Sequence, residues 1–247
     1  MASVRRSRRC RTTGNTPVAA AVSVRSDPTT RECIVGSVTD GGGRSGFGAM
    51  GSHAPALDAA GISPAHMIAG YHAGLFPMDS EDDVGPVGWY FTDPRAVIVT
   101  ADARIPRTVA RMLRRRAYDV RVDTAFGEVL RACSGDRDGV WLTPRLIGGY
   151  EALHDLGIAH SIEAWDGDVL AGGLFGIAID GLMTAESMFH RLPDGGNAAI
   201  AGLIGIARIN GFTLIDVQME SPHVMRFGAT LISADSYTEL LAEVLRG

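Results

Sequence analysis

The stretch AHSIEAWDGDVLAGGLFGIAIDGLMTAESM, residues 159–188, decides the fold class. Three apolar runs, Ala159 to Trp165, Val169 to Ile179 and Leu182 to Met188, are separated by Asp166-Gly167 and Asp180-Gly181. Asp-Gly accepts the positive φ that tight hairpin turns require, so the stretch is expected to form a three-strand meander. Upstream the punctuation is helical. Ser63-Pro64 caps and starts a helix to about His72, Pro106 to Arg116 is a second helix, and Tyr118 to Val122 is a strand. Asp123 is expected to cap a third helix to Cys133, and Thr143-Pro144 a fourth to about Leu156. Downstream come a helix from about Asn197 to Ile209 ending at Asn210-Gly211, a strand from Thr213 to Gln218, and a helix from Ser233 to Arg246. Strands framed by helices in this order predict an α+β fold with a mixed sheet.

A chain of 247 residues with 46% apolar side chains can bury one sizeable core, or a core plus a smaller lobe. Its longest apolar candidate, Ala198 to Ala207, ends at Arg208 and falls short of the roughly 18 residues a membrane helix needs. Cys10, Cys33 and Cys133 are scattered and odd in number, which excludes a disulfide framework or a CxxC metal site and suits a reducing cytoplasm. No metal and no cofactor are expected.

All 23 basic residues are arginine, a usage from which no function follows. Residues 1–49 hold eight arginines against Asp27, Glu32 and Asp40, so the rest of a chain with net charge −5 carries about −10. An acidic body does not attract nucleic acid by net charge, and any RNA contact must come from a local patch. Arg104, Arg107, Arg111 and Arg114 or Arg115 supply one candidate: their three- and four-residue spacing makes a basic helical stripe. It reads either as a solvated face or as a phosphate track. Residues 1–55 show no sustained period and form an arm, read as a targeting peptide, an RNA tail, or translation assigned upstream of a start at Met50. Gly46, Gly48 and Gly51 match GxGxxG there by composition alone, with no preceding strand.

Asp216 and Gln218 stand two apart on an otherwise apolar strand, which puts both on one face and Ile215 and Val217 on the other. A carboxylate and an amide there read as a strand end reaching solvent or as a catalytic pair. Glu186 begins ESMF just after Leu182 and Met183 and alone reads as a solvated charge at a strand terminus. A hydrolase built on His160 and Ser161 is set aside, because neighbours on one strand point to opposite faces and no GxSxG elbow is present.

Six blocks in order, Gly74-Leu-Phe-Pro77, WYFTDPRAV (residues 89–97), Trp141-Leu-Thr143, HSIE with Trp165, ESMF from Glu186, and LIDVQ ending at Gln218, resemble the leucyl/phenylalanyl-tRNA protein transferases. The resemblance covers about Ala65 to Leu241 and implies an acetyltransferase-like (GNAT) mixed sheet flanked by helices, with aminoacyl-tRNA as donor. The CoA pyrophosphate loop of ordinary acetyltransferases is absent. It further implies that leucine, phenylalanine or methionine moves from charged tRNA to the α-amine of proteins beginning with Arg or Lys, marking them for degradation.

In the roles carried over, Gln218 orients the amine, Asp216 takes or relays its proton, and Glu186 receives the acceptor's cationic group. Leu174, Met183, Met188, Leu203 and Ile215 match the donor side-chain pocket, or else are ordinary core. Trp141, with Trp89 or Tyr90, matches the aromatic residues on the terminal adenosine. The family's FPW reads Phe76-Pro77-Met78 here, its WW pair Trp89-Tyr90, and its NASK block Asp194 to Asn197. The domains expected are an arm at 1–55, a reduced N-terminal lobe at 56–116 carrying the basic helix, and a catalytic domain at 117–247, in a cytoplasmic monomer. The competing readings are a binding protein for aminoacyl-tRNA or N-degrons that does not transfer, and a transferase with another donor.

Overall fold

The computed structural model describes residues 48–49, 62–79, 85–115, 118–135 and 141–246; Met50 and the rest of the arm lie outside them. In chain order the elements are β1 (Gly48–Ala49), α1 (Pro64–His72), β2 (Phe76–Met78), β3 (Gly88–Phe91), β4 (Arg95–Val99), α2 (Arg107–Arg114), β5 (Asp119–Val122), α3 (Phe126–Cys133), α4 (Pro144–Asp155), β6 (Ala159–Asp166), β7 (Val169–Ile179), β8 (Leu182–Thr184), β9 (Ser187–His190), α5 (Gly195–Asn210), β10 (Leu214–Gln218), α6 (Pro222–Met225), β11 (Thr230–Ile232) and α7 (Ala234–Val244). A small sheet has the order β1-β3-β2 and a larger one β11-β4-β10-β8-β7-β6-β5, with β9 also paired to β7. β10 runs parallel to β8 and antiparallel to β4, so the larger sheet is mixed.

Local chemistry sets several boundaries where the sequence places them. Asp180 takes φ 50° in the turn that lets Ile179 pair with Leu182. Thr143 and Ser233 cap α4 and α7 by accepting from Leu146 N and Ser236 N, and Gly211, at φ 77°, closes α5. The third helix departs from expectation. Asp123 does not cap it but turns the chain at φ 57°, and its carboxylate accepts from Ser161 N and the His160 Nδ1 edge, each at 2.8 Å. α3 starts at Phe126, and the buried Glu163 covers its end, accepting from Ala125 N at 2.8 Å, from Ser161 Oγ at 2.7 Å and from Thr124. His160 and Ser161 are thus spent on structure.

β7 divides the core. Leu174 and Ala178 face α5, while Phe175, Ile177 and Ile179 face α3 and α4. A third cluster, with Val97, Leu182, Leu214, Tyr237 and Leu241, seats α7 on the strands around β10.

The expected third strand of the meander is two strands. After Thr184 the chain leaves β8: Ala185 N still donates to Asp216 O at 2.8 Å, but Glu186 N donates to Phe175 O at 2.9 Å. β9 then pairs with β7 from Phe175 to Gly172, and the sheet splays between β9 and the end of β10. Gly176 permits the crossing, since a Cβ there would lie 1.9 Å from Thr184 O. Gly176→Ala should cost about 1–3 kcal/mol by forcing two backbones apart. The urea midpoint should fall with an unchanged m value; a midpoint equal to wild type would show that the splay tolerates a side chain.

Candidate active site

β10 places the polar residues at this splay. The ladder to β4 shifts register between Asp216 and Gln218, and Gln218 takes φ 56°. The simple alternation expected across Asp216, Val217 and Gln218 is therefore broken by a bulge. The bulge is held at both ends: Gln218 N donates to Asp216 Oδ1 at 3.0 Å, and Thr92 Oγ1 donates to Gln218 O at 2.8 Å.

Asp216, 1% exposed, has both oxygens engaged. Arg95 donates to them from Nε at 2.9 Å and Nη2 at 2.6 Å, and Tyr237 OH donates to Oδ2 at 2.7 Å. The Arg95 guanidinium lies between the Phe76 and Tyr237 rings, 4.9 and 4.7 Å from their centroids. Burial, the largest influence on Arg95, works against its charge, but pairing with Asp216 outweighs it and the net shift is upward. Burial and then the Asp216 charge push the Tyr237 hydroxyl up, so it stays a donor.

Glu186 meets this cluster from the other side. Gln218 Nε2 donates to its Oε1 at 3.2 Å, and Tyr150 OH donates to its Oε2 at 3.3 Å. Tyr150 and Tyr71 share a hydroxyl contact of 2.9 Å behind it. Glu186 is pushed up to about 7, mainly by burial, with the Asp216 charge adding and bonds from Thr184 and Tyr71 and the Arg95 charge opposing. Tyr71 and Tyr150 are raised well above the usual phenol range, first by burial and then by the Glu186 charge. A carboxyl that exchanges its proton near neutrality, beside a fixed amide donor, can accept a proton from a bound amine.

The other expected site residues fall into separate groups. Leu174, Met183, Leu203 and Ile215 are buried in one apolar cluster under α5, with half-buried Met188 at its margin. They belong to a different cluster from Tyr71, Tyr150 and Phe175, so the apolar residues expected to receive the donor side chain and the polar groups lie on opposite faces of the sheet. Trp89, Tyr90 and Trp141 pack half-buried against the cluster on the Tyr71 and Tyr150 face. The Trp89 ring lies where a Cβ at Gly70 would fall and meets Tyr71 edge-on at 6.1 Å. Arg104, Arg107, Arg111, Arg114 and Arg115 are all exposed, and α2 packs on α5 through Val109, Met112 and Leu113. The stripe is thus outward-facing, on the α5 side of the sheet.

Sequence reasoning missed Arg95, Tyr71, Tyr150, Tyr237 and Thr92. Arg95 left a usable signal: a cation heading the buried run Arg95–Val99 needs a buried anion. The altered block at 194–197 has a structural account. Asp194 at φ 64° turns into α5, Asn197 Nδ2 donates to its Oδ1 at 2.6 Å, and Arg226 donates to Asn197 Oδ1 at 2.7 Å. Among the described residues no group of three or more His, Cys, Asp or Glu could hold a metal, and no helix is long and apolar enough to cross a membrane.

Residues 97–242 match the family model described as leucyl/phenylalanyl-tRNA protein transferase, and residues 61–93 match that of its N-terminal domain. A protein of that name from Rubrobacter xylanophilus is 40% identical over 186 residues, 75% of this chain and 96% of the relative. The one from Salinibacter ruber is 40% identical over 184 residues, 74% of this chain and 80% of the relative. Among solved structures, that of L-PGS from Bacillus licheniformis is 13% identical at a TM-score of 0.38, covering 61% of this chain and 56% of that one, too distant to carry an argument.

Proposed function

The chain belongs to the leucyl/phenylalanyl-tRNA protein transferases, a family of aminoacyltransferases, and we propose that its site joins the donor's acyl carbon to a protein α-amine at the β9–β10 splay. One observation carries the reading: Glu186, Gln218 and the Asp216–Arg95 pair converge where the chain changes strand partners, with an apolar cluster on the opposite face of the sheet. The sheet is read as acetyltransferase-like, with α1 and the small sheet as the reduced N-terminal lobe and β4 contributing to the larger sheet.

The acceptor's ammonium docks on Glu186 and Gln218. With an α-amine pKa of about 7.7 to 8.0, part of it is neutral at pH 7, and Glu186 takes the remaining proton. The amine attacks the ester carbonyl, the C–N bond forms, and the C–O bond to the ribose breaks. The departing ribose oxygen receives the proton that Glu186 accepted, and the carboxylate so regenerated takes the surplus proton left on the new amide nitrogen and passes it to solvent. Asp216, with both oxygens engaged, fixes the Gln218 bulge rather than exchanging a proton. Positioning supplies most of the acceleration and no covalent enzyme intermediate is needed.

An unbranched wall of Met183 and Met188 with Leu174, Leu203 and Ile215 suits Leu, Phe or Met and disfavours β-branched donors. The anionic Glu186 favours acceptors beginning with Arg or Lys. The α2 stripe holds donor phosphates, Trp141 with Tyr90 or Trp89 takes the terminal adenosine, and the need for charged tRNA suits a cytoplasmic setting.

The test is single-turnover transfer from leucine-charged tRNA to an Arg-initiated peptide, read as mass gain. No gain with any charged tRNA would leave only a binding protein. In equilibrium binding, reversing Arg107 and Arg111 to Glu should weaken charged and uncharged tRNA alike and flatten the salt dependence by about 0.7 to 0.9 per lost phosphate contact. Trp141→Ala should cost about 1 to 3 kcal/mol with the salt slope unchanged. Equal slopes in the two variants would refute this division of labour.

A further inference from the structure

We propose that Asp79 and Arg145 form a latch that positions Trp141 for the donor's terminal base, making both positioning residues for transfer. The latch joins three pieces of chain. Asp79 directly follows Met78, the last residue of β2, whose partner strand β3 carries Trp89 and Tyr90. Its backbone N donates to Trp141 O at 3.2 Å. Its carboxylate accepts from Thr143, from Arg145 Nε at 2.7 Å and from Arg145 Nη2. Arg145 Nη1 also reaches Gly85 O at 2.7 Å, shortly before β3 begins. One aspartate therefore grips both ends of Trp141-Leu-Thr143, and one arginine ties that grip to the approach of β3.

Burial and chemistry say this is more than a surface ion pair. The Asp79 side chain is 2% exposed and the Arg145 side chain 28%, in a two-pronged contact whose geometry is fixed. The carboxylate also sits at the N-terminal end of the 12-residue α4, beside its cap Thr143, where the helix favours an anion. Met78, beside Asp79, offers this wall only a flexible thioether. Trp141 is half-buried, with its backbone held by Asp79 and its neighbour Leu142 buried at 1%. The latch supplies the stiffness that Met78 lacks.

This rests on Trp141 holding the donor base, and the experiment separates the two ideas. Steady-state transfer with leucine-charged tRNA and an Arg-initiated peptide is compared for wild type, Arg145→Met, Asp79→Asn, Trp141→Ala and Arg145→Met/Trp141→Ala. Each single variant should raise KM for charged tRNA about tenfold, within the range of one lost stacking contact. The kcat, the peptide KM and the salt slope should hold. The double variant should be no worse than Trp141→Ala, because Arg145 acts through Trp141. If Trp141→Ala leaves KM unchanged, the base-holding reading falls and the latch with it. If Trp141→Ala raises KM but the latch variants do not, the latch alone is wrong. Full additivity in the double variant, or a flatter salt slope in Arg145→Met, would make Arg145 a direct phosphate contact and overturn the positioning role. Should Arg145→Met fail to fold, Arg145→Gln runs through the same cycle.

Discussion

Glu186→Gln is expected to slow transfer by about a hundredfold or more at pH 8, the range of one lost general base, while slightly raising stability there. Both effects have one source. Burial holds the Glu186 proton up to about pH 7 in the folded chain, against an ordinary value of 4.5. Because the folded value is raised, the stabilising contribution of the bound proton is complete below pH 4.5 and is lost as pH rises through 7. Above that pH the native site carries a charge it would shed if free to do so. Glutamine keeps the shape and an acceptor for Tyr150 but cannot ionise, so the variant gains stability at pH 8 and differs little near pH 4. The wild-type kcat/KM should rise with pH through an inflection near 7 that the variant lacks, leaving only the inflection of the substrate amine near 7.7 to 8.0. A variant that retained both inflections would show that the proton goes elsewhere.

The sequence reveals these elements unevenly, for physical reasons. Turns and caps depend on residues a few positions apart, and Asp180, Gly211, Thr143 and Ser233 all stand where their local chemistry requires, whereas Ser63 precedes α1 as expected but turns its hydroxyl to His66 Nδ1 instead of capping a backbone N–H. Asp123 has the right chemistry for two local roles, an N-cap and a positive-φ turn. His160 and Ser161, far along the chain, decide between them. The run from Leu182 to Met188 reads as one strand because nothing local marks Ala185 and Glu186 as the point of exchange. That break is set by β10 pairing beside β8 and by β7 reclaiming the chain at Phe175.

The candidate site shows the same division. Asp216, Gln218 and Glu186 are legible as out-of-place polar residues in apolar surroundings. Their convergence needs the Gln218 bulge, and a positive φ at a glutamine has no signature in composition or period. Tyr71, Tyr150 and Tyr237 look like core aromatics until their hydroxyls are seen to reach Glu186 and Asp216.

Asp216→Asn is expected to lower stability by about 3 to 5 kcal/mol, as when one partner of a buried ion pair is removed, and to slow transfer about a hundredfold. The substitution leaves Arg95 a buried cation, 1% exposed, with Nη1 already lacking a hydrogen-bond partner among the described residues. Arg95 donates to both Asp216 oxygens, so either orientation of an asparagine amide turns its NH2 toward one arm of the fork and one bond becomes a donor facing a donor. Stability and chemistry can then be separated. Arg95→Met with Asp216→Leu removes both charges and keeps the volume apolar between Phe76 and Tyr237, which should restore much of the lost stability. It cannot restore transfer, because Gln218 N loses its acceptor and the bulge that aims Gln218 at Glu186 loses its inner anchor. Denaturant midpoints and single-turnover rates of the two single variants and the pair decide the matter. Recovery of rate together with stability would reduce Asp216 to scaffold, and a pair as unstable as the sum of its parts would mean that Arg95 and Asp216 do not depend on each other.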